Sequence, residues 1–167
     1  MHCNKVRRAV GWVGLVSLGI AGAVHASAPV DQYKWFSLGS TAIEDTKTGL
    51  RWVRSYEAQK KHDEADDYCN TLVIVSELGS ESGWRLPTVK ELLTLVDEQP
   101  RAVYVGGMLT YPTIDSNAFP DTPRNYFWSA TANPKVLDEA WVVNFGTGDI
   151  LPLNTDTPVF VRCVKNK

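Results

Sequence analysis

Histidine and cysteine are scarce in this sequence, and their scarcity excludes several kinds of chemistry. The 167 residues include three histidines and three cysteines. A structural zinc site needs about four nitrogen or sulfur ligands, and these few residues are scattered along the chain. A phosphate-binding loop is also excluded, because the Gly-x-Gly at 146–148 is not followed by a helical pattern. The sequence has no internal repeat and no long block of like charge, which indicates one domain.

Long apolar runs are missing except near the amino terminus. There, residues 9–24 are apolar and follow a short basic region at residues 5–8. The run is shorter than the roughly 20 residues of a membrane-spanning helix, and small residues follow it. Basic region, apolar stretch and small residues are the parts of a secretory signal peptide. We predict a signal peptide over residues 1–26, with cleavage after Ala26 or Ala28, and export to the periplasm or outside the cell.

Removing residues 1–26 leaves an acidic chain without a membrane span. Three of the 17 basic residues lie in that segment and all 19 acidic residues lie beyond it, so residues 27–167 carry a formal net charge of −5. This charge argues against nucleic acid as a partner. The remaining length is sufficient for one ordinary domain with its own core.

Two cysteines, Cys69 and Cys163, remain after processing. An even pair in an oxidising compartment predicts a disulfide. It would tie a helix near the front of the domain to the last strand. In the chain-entropy model a loop of this length stabilises by roughly 4–5 kcal/mol.

Short β patterns dominate both ends of the processed chain. At the front, turn residues at 45–49 separate two strand patterns, with Asp and Gly at the ends of the turn. In the last third, Gly146 to Asp149 has the composition of a hairpin turn. The predicted strands are 34–38, 41–44, 50–53, 126–131, 140–145, 150–153 and 159–164.

A first helix is predicted to end near Leu72, with Asp63 as its cap. Its apolar residues recur at three- and four-residue spacing, which places them on one helical face; they are Ala65, Tyr68, Cys69 and Leu72.

The second helix has the clearest start signal in the chain. Thr88 and Glu91 have the spacing of a capping box, in which each side chain binds the backbone amide of the other residue. Pro87 keeps the preceding residue extended and so defines the helix start. The apolar stripe consists of Val89, Leu92, Leu93 and Val96, and Pro100 is expected to end the helix.

A long connection rich in proline, glycine and aromatic residues covers 99–126. Ile114, Phe119 and Tyr126 are expected to pack it onto the core. The order of elements predicts an α+β domain, with two helices packed on a mainly antiparallel twisted sheet.

Eight short segments, in order and across almost the whole processed chain, carry a family resemblance. They are DTKTGLRW at 45–52, YCN at 68–70, WRLPT at 84–88, ID at 114–115, FP at 119–120, FWSAT at 127–131, WVVNF at 141–145 and VRCV at 161–164. With these segments the sequence resembles the Lcl C-terminal domain family, named after a collagen-like bacterial adhesin, over residues 41–165.

The resemblance implies a C-type-lectin-like fold and a bond between Cys69 and Cys163. It also implies adhesion and binding of sulfated polysaccharides as activities of some members, without an active site to carry over. The adhesin's collagen-like region is absent here, so the oligomeric state stays open. The closest matches are structural in kind, and the motif around the second helix comprises Trp84, Arg85, Pro87, Thr88 and Glu91.

The long connection also holds the candidate ligand-binding residues. A sugar site needs an exposed aromatic face beside polar groups, and Tyr104 and Tyr111 lie beside two glycines in this loop. Lys90, Arg101 and Arg124 are expected to add a positive patch for sulfates or carboxylates. The tryptophans at 84, 128 and 141 are instead predicted to be core residues.

No cofactor is predicted, and calcium is the one metal with candidate ligands. Hard cations need six to eight oxygens, and two groups of Asp and Asn residues provide some of them. One group is in the long connection and the other near the last hairpin. The candidates are Asp115, Asn117, Asp121, Asp149 and Asp156, with Asn154 beside the last. For Asp115, a role in shaping a turn of the long loop is favoured over a functional role.

An enzyme is not predicted. A nucleophilic triad would have to use His62, which precedes the first helix in a charged stretch typical of exposed residues. Carboxylate pairs among Asp115, Asp121, Asp138 and Glu139 are candidates only in a loose sense. We expect an exported, non-catalytic ligand-binding module with adhesion as a candidate role and a glycan as first-ranked ligand. The alternative is a structural or interaction subunit that binds an envelope protein, and an enzyme ranks third.

Overall fold

The computed structural model describes residues 28–35, 41–97, 100, 102–105 and 107–167. The predicted signal peptide lies outside the described residues. Within them there are two helices, α1 (His62–Thr71) and α2 (Val89–Leu93). The strands are β1 (Tyr33–Trp35), β2 (Ala42–Asp45), β3 (Leu50–Val53), β4 (Glu57–Lys60), β5 (Ile74–Ser76), β6 (Gly79–Glu81), β7 (Val103–Val105), β8 (Met108–Thr110), β9 (Tyr126–Ala132), β10 (Glu139–Asn144), β11 (Ile150–Asn154), β12 (Val159–Val161) and β13 (Val164–Asn166).

Two larger sheets carry the domain. The first has four antiparallel strands in the order β1-β2-β3-β13. The second has the order β11-β10-β9-β12-β4 and is antiparallel except where β12 runs parallel to β9. The hairpins β5–β6 and β7–β8 form separate two-stranded sheets. The α+β prediction is therefore confirmed.

The central strands are buried on both faces, so consecutive residues enter different core clusters. Phe127 belongs to the cluster beside α2, whereas Trp128 belongs to the cluster that contains the buried side chains of α1. Val142 and Val143 alternate in the same way. Side chains of a strand point to opposite faces in turn, and a helix covers each face here. This arrangement accounts for the continuous apolar runs in the sequence.

The N-cap of the first helix lies two residues before the predicted cap. Lys61 is the N-cap, and its backbone amide donates to the Glu64 carboxylate at 3.1 Å, so the prediction of Asp63 as cap is wrong. The chain enters the helix from β4, a strand that pairs with β12 and that sequence analysis missed. The predicted inner face is confirmed, because Ala65 and Cys69 are buried.

His62 differs from its predicted exposure. It is the first residue of α1 and only partly exposed. Its Nε2 lies 2.9 Å from the carbonyl oxygen of Ser129, and its ring meets Trp128 edge-on at 5.2 Å between centroids. The Trp128 Nε1 in turn donates to the carbonyl of Lys60 at 2.9 Å. This histidine therefore docks the start of α1 onto β9.

The capping box of α2 is confirmed, whereas the helix is shorter than predicted. Thr88 Oγ1 accepts from the Glu91 amide at 3.2 Å, and the Glu91 carboxylate accepts from the Thr88 amide at 2.7 Å. The helix ends at Leu93, well before Pro100. The hydroxyl of Thr94 donates to the carbonyl of Glu91 at 2.7 Å, and the chain turns there. Leu93, which was predicted to belong to the apolar stripe, is exposed, and Leu95 is buried instead.

The residues predicted to form one last strand instead form parts of two strands, which belong to different sheets. β12 joins the five-stranded sheet and β13 joins the four-stranded sheet, so the single strand predicted over 159–164 is wrong. Arg162 and Cys163 connect them and are both buried. The predicted disulfide between Cys69 and Cys163 is confirmed, with 5.5 Å between the Cα atoms.

The remaining strand predictions agree with the structure within one or two residues, except that β1 is Tyr33–Trp35 and residues 36–38 lie outside the described part. The predicted turn after β2 is present. Asp45 accepts from the Lys47 amide and the Thr48 hydroxyl, and Gly49 has a positive φ of 71°.

The long connection contains a hairpin, β7–β8, that was not predicted. Ile114 and Phe119 are buried in the core as expected, and Tyr126 packs against it partly buried. Trp84 and Trp128 are core residues as predicted, whereas Trp141 is only partly buried.

Candidate ligand-binding groove

An open groove of about 390 Å³ lies where the end of β1, the segment after β3 and the long connection meet. This volume is within the range of about 300–1,000 Å³ that is typical of small-molecule sites. Among the described residues, those that line it are Trp35, Thr41, Arg54, Ser55, Tyr56, Pro120 and Asp121. The groove thus combines two aromatic rings with hydroxyl groups, one guanidinium and one carboxylate.

Trp35 and Arg54 form a stacked pair at one side of the groove. The Arg54 Cζ lies 4.3 Å from the centroid of the Trp35 ring. The indole is 59% exposed, so Arg54 supports one part of the ring while much of it stays accessible. A guanidinium over an indole face is an attractive cation–π contact. The pair presents a large aromatic surface to solvent.

Arg54 is held in this position by a turn of the long connection. Its Nε donates to the carbonyl of Ala118 at 2.9 Å and its Nη2 to that of Asn117 at 2.7 Å. Asp115 shapes this turn, because its Oδ1 accepts from the amides of both residues at 2.8 and 2.9 Å. The Asp115 Oδ2 accepts from the Ala28 amide at 2.8 Å. The prediction that Asp115 shapes a turn is therefore confirmed.

Tyr56 forms the second aromatic surface and is anchored on the core. Its ring meets Phe160 edge-on at 5.5 Å and Phe127 at 6.5 Å between centroids. Edge-to-face contacts of this kind stabilise by about 0.5–1.5 kcal/mol. Tyr56 is 37% exposed, so its remaining surface is available at the groove.

A buried arginine, Arg162, connects two segments that carry groove residues, one at 53–56 and the other at 119–122. Arg162 Nη1 donates to the carbonyls of residues 53–55 at 2.6–3.2 Å, and its Nη2 donates to Thr122 Oγ1 at 2.8 Å. The guanidinium also lies 4.7 Å from the centroid of Phe119. Burial lowers the pKa of Arg162, while the nearby Tyr33 acts to raise it. The chain that carries Arg54 and the chain on both sides of Asp121 thus contact one side chain.

Asp121 is exposed at the groove and has a positive φ of 56°. Aspartate and asparagine tolerate this left-handed conformation better than most residues. The carboxylate lies two residues after the buried Phe119 and one before Thr122. Its backbone is therefore fixed on the C-terminal side by the Thr122–Arg162 contact.

Tyr33 and Asp115 line two smaller cavities, of about 190 and 230 Å³, and the second of them shares Trp35 with the groove. The Tyr33 ring packs edge-on against Phe119 at 5.2 Å. Burial, and next the charge of Asp45, raises the pKa of Tyr33 well above its usual range. These cavities flank a well-anchored tyrosine.

The residues predicted to bind a ligand either lie away from the groove or fall outside the residues that the structure describes. Tyr111, Lys90 and Arg124 are exposed, but none of them lines the groove or the two smaller cavities. Arg101 and the side chain of Tyr104 lie outside the described residues.

The calcium candidates do not form one site in the part of the chain that the structure describes, where no three acidic, histidine or cysteine side chains cluster for a metal. Asp156 instead pairs with Lys61 at 2.8 Å. Asp115 and Asn117 belong to the turn that holds Arg54, Asp121 lines the groove, and Asp149 is exposed in the β10–β11 turn.

Sequence analysis missed three of the main groove residues, Trp35, Arg54 and Tyr56. Each lies within or close to a predicted strand, where aromatic and basic residues are common without binding anything. A charged residue between Val161 and Cys163 was the one visible signal for Arg162, because arginine is rarely buried unless it has a structural partner.

These features define an α+β domain with an open aromatic groove. A disulfide bonds its first helix to the segment between the last two strands. The disulfide indicates an oxidising, extracytoplasmic compartment. Residues 41–165 match the family model of the Lcl C-terminal domain, and the chain belongs to that family. No curated protein matches the chain significantly. None of the helices that the structure describes is long and apolar enough to cross a membrane.

Proposed function

We propose that this chain is an exported, non-catalytic binding module that holds a glycan in the groove of Trp35 and Tyr56. In this proposal the fold is of the C-type-lectin-like kind, and the protein acts in the periplasm or outside the cell. The observation that carries the proposal is the exposed ring of Trp35, which is held by Arg54 and lies in a groove with a basic and an acidic side chain.

A sugar ring needs two kinds of contact at once. Its apolar C–H face packs on an aromatic ring, and its hydroxyls need nearby donors and acceptors. The groove has two aromatic rings, the hydroxyls of Thr41 and Ser55, and the charged groups of Arg54 and Asp121. Because Arg54 is already fixed by two backbone carbonyls, the aromatic surface is organised before a ligand arrives. Such preorganisation reduces the entropy lost on binding.

A second function, binding of an envelope protein, is favoured by a different surface. Met108 and Leu109 of β8 are 71% and 47% exposed, and Tyr111 follows them at 51%. Exposed apolar side chains that are close together are typical of protein contacts. This hairpin is the surface that a structural or adhesive subunit would use.

A glycan array with the exported, oxidised protein tests the proposed function. We expect binding to a defined sugar class, and loss of that binding in Trp35→Ala because the stacking surface is removed. Tyr111→Ala is the matched control, since it removes an exposed aromatic ring outside the groove and leaves glycan binding unchanged. Parallel arrays with calcium and with chelator test for a metal requirement.

A blank array with the wild-type protein, with calcium and with chelator, would refute the glycan proposal. Retained binding in Trp35→Ala together with loss in Tyr111→Ala would move the site to the β7–β8 hairpin. Capture of a specific envelope protein that is lost in Met108→Ser would then support the second function.

A further inference from the structure

We infer that the ligand of the groove is an uncharged pyranose whose hydroxyls lie between Arg54 and Asp121. This inference rests on the proposed function and narrows it to one class of glycan. It differs from the sulfated polysaccharides that the family resemblance implies for some members.

The charges of the groove argue for an uncharged ligand. Among its described lining residues there is one cation, Arg54, and one carboxylate, Asp121. A sulfate or carboxylate in the groove is attracted by Arg54 and repelled by Asp121. Sites for anionic groups instead bring several basic side chains or amide groups together.

The guanidinium of Arg54 is suited to hydroxyl recognition because much of its charge is already engaged. Its Nε and Nη2 donate to two carbonyls, and its Cζ lies 4.3 Å from the centroid of the Trp35 ring. An arginine has five N–H donors, and two of them are used in these bonds. The other three have no acceptor among the described residues, so they are available to donate to sugar oxygens.

Asp121 provides the opposite half of the same recognition. An ionised carboxylate only accepts hydrogen bonds and has about four acceptor positions. No donor to this side chain is present in the described part of the chain, and the residue is exposed at the groove wall. Neighbouring hydroxyls of a pyranose donate to a carboxylate and accept from a guanidinium at the same time. The hydroxyl groups of a neutral sugar therefore satisfy both residues, whereas a sulfate or carboxylate group satisfies only Arg54.

The aromatic rings set the shape of the ligand. Trp35 and Tyr56 line the same groove, and each ring is held by a neighbouring side chain, Arg54 and Phe160 respectively. A flat apolar C–H face fits such a surface, and a pyranose ring has one. The combination of flat apolar face and uncharged hydroxyl edge is specific to neutral sugar rings among common polar ligands.

The sign of the effect of one substitution tests the inference. Asp121→Asn keeps the size of the side chain, suits the positive φ and removes the negative charge. If the ligand is an uncharged sugar, the variant binds about tenfold more weakly, because hydrogen bonds to a charged acceptor are stronger than neutral ones. If the ligand is a polyanion, the same variant binds more tightly, because a repelling charge has been removed.

Titration calorimetry would use the exported, oxidised protein with two sets of probes. The uncharged probes are cello-, malto- and manno-oligosaccharides, and the anionic probes are heparin and dextran sulfate. Asp138→Asn is the matched control, because Asp138 is an exposed acid outside the groove. We expect an uncharged probe to bind with little dependence on salt. Its affinity should fall in Asp121→Asn and in Trp35→Ala and stay the same in Asp138→Asn.

The failures of the inference and of the proposed function are distinguishable. Salt-sensitive binding of an anionic probe, strengthened by Asp121→Asn and lost in Trp35→Ala, overturns the inference and supports the glycan groove. An uncharged probe whose affinity Asp121→Asn leaves unchanged also overturns the inference. If the wild-type protein binds neither set, the proposed function fails and the inference falls with it.

Discussion

Replacing Arg162 with lysine is expected to lower the free energy of unfolding by about 3 kcal/mol. The substitution keeps a positive charge in the interior but removes the planar fork of the guanidinium. Arg162 contacts two separate pieces of chain, the carbonyls of residues 53–55 and the hydroxyl of Thr122. A lysine ammonium is a single point of charge, so it is unable to reach both.

The magnitude follows from the contacts that lysine loses. The bond from Nη2 to Thr122 Oγ1 at 2.8 Å is charge-assisted, and such bonds contribute about 1.5–3 kcal/mol. The guanidinium also lies 4.7 Å from the centroid of Phe119, a desolvated cation–π contact of up to about 2 kcal/mol, part of which a lysine retains. The bonds to the carbonyls of 53–55 are retained in part. Together these losses give the expected 3 kcal/mol.

Urea unfolding of the oxidised protein, followed by tryptophan fluorescence, measures this difference. A double-mutant cycle with Thr122→Val isolates the bond between the two side chains, and we expect a coupling energy of about 1.5 kcal/mol. Thr122→Ser is the control, because its hydroxyl still accepts from Arg162 and donates to the carbonyl of Phe119, as the threonine does at 2.8 Å.

Two results would refute this reasoning. One is a loss below about 1 kcal/mol in Arg162→Lys, which is the range of an ordinary neutral hydrogen bond. The other is additivity of Arg162→Lys and Thr122→Val, which would mean that the two side chains do not stabilise each other across the groove walls.

Three further predictions concern stability elsewhere in the domain. Replacing Cys69 and Cys163 together with alanine should lower the free energy of unfolding by about 4–5 kcal/mol in urea, since the bond closes a loop with a sequence separation of 94. Glu91→Gln should cost about 1 kcal/mol at pH 7. Hydrogen bonding from Arg85 lowers the pKa of Glu91, so unfolding at several pH values should show this contribution fully present above the ordinary pKa of 4.5 and lost as the pH falls through the folded-state pKa. Gly49→Ala should lower the melting temperature more than Gly49→Asn, because φ is 71° there and alanine disfavours that conformation by about 1–2 kcal/mol.

Local signals made much of the fold predictable. The capping box of Thr88 and Glu91, the turn at 45–49 and the Gly-rich hairpin are each determined by a few neighbouring residues. Their geometry depends little on the remainder of the chain. The disulfide was predictable for another reason, because only two of the three cysteines lie beyond the predicted signal peptide.

The wrong predictions have non-local causes. β4 has the sequence EAQK, which lacks an apolar pattern, and it is a strand because β12 pairs with it at the sheet edge. The chain changes sheets at Arg162 and Cys163 because β12 pairs with β9 and β4 in one sheet, whereas β13 pairs with β3 in the other. Neither fact is encoded within a short window of sequence.

The groove was less predictable than the fold. Trp35 and Arg54 are 19 residues apart, and their stacking depends on a turn at 115–118 that is still further along the chain. The predicted aromatic residue Tyr111 is exposed in the long connection, but it lines neither the groove nor the two smaller cavities. A ligand site built from three distant segments requires the tertiary structure.

The division of residues 159–166 between two sheets also constrains how the domain folds. Among the described strands, β3 has no partner on one side until β13 is available, and β4 has no partner until β12 is available, about one hundred residues later in each case. Pairing so distant in sequence gives a high contact order, which slows folding. We therefore expect the front strands to stay incompletely paired early in folding. Both sheets should be completed in one late, cooperative step.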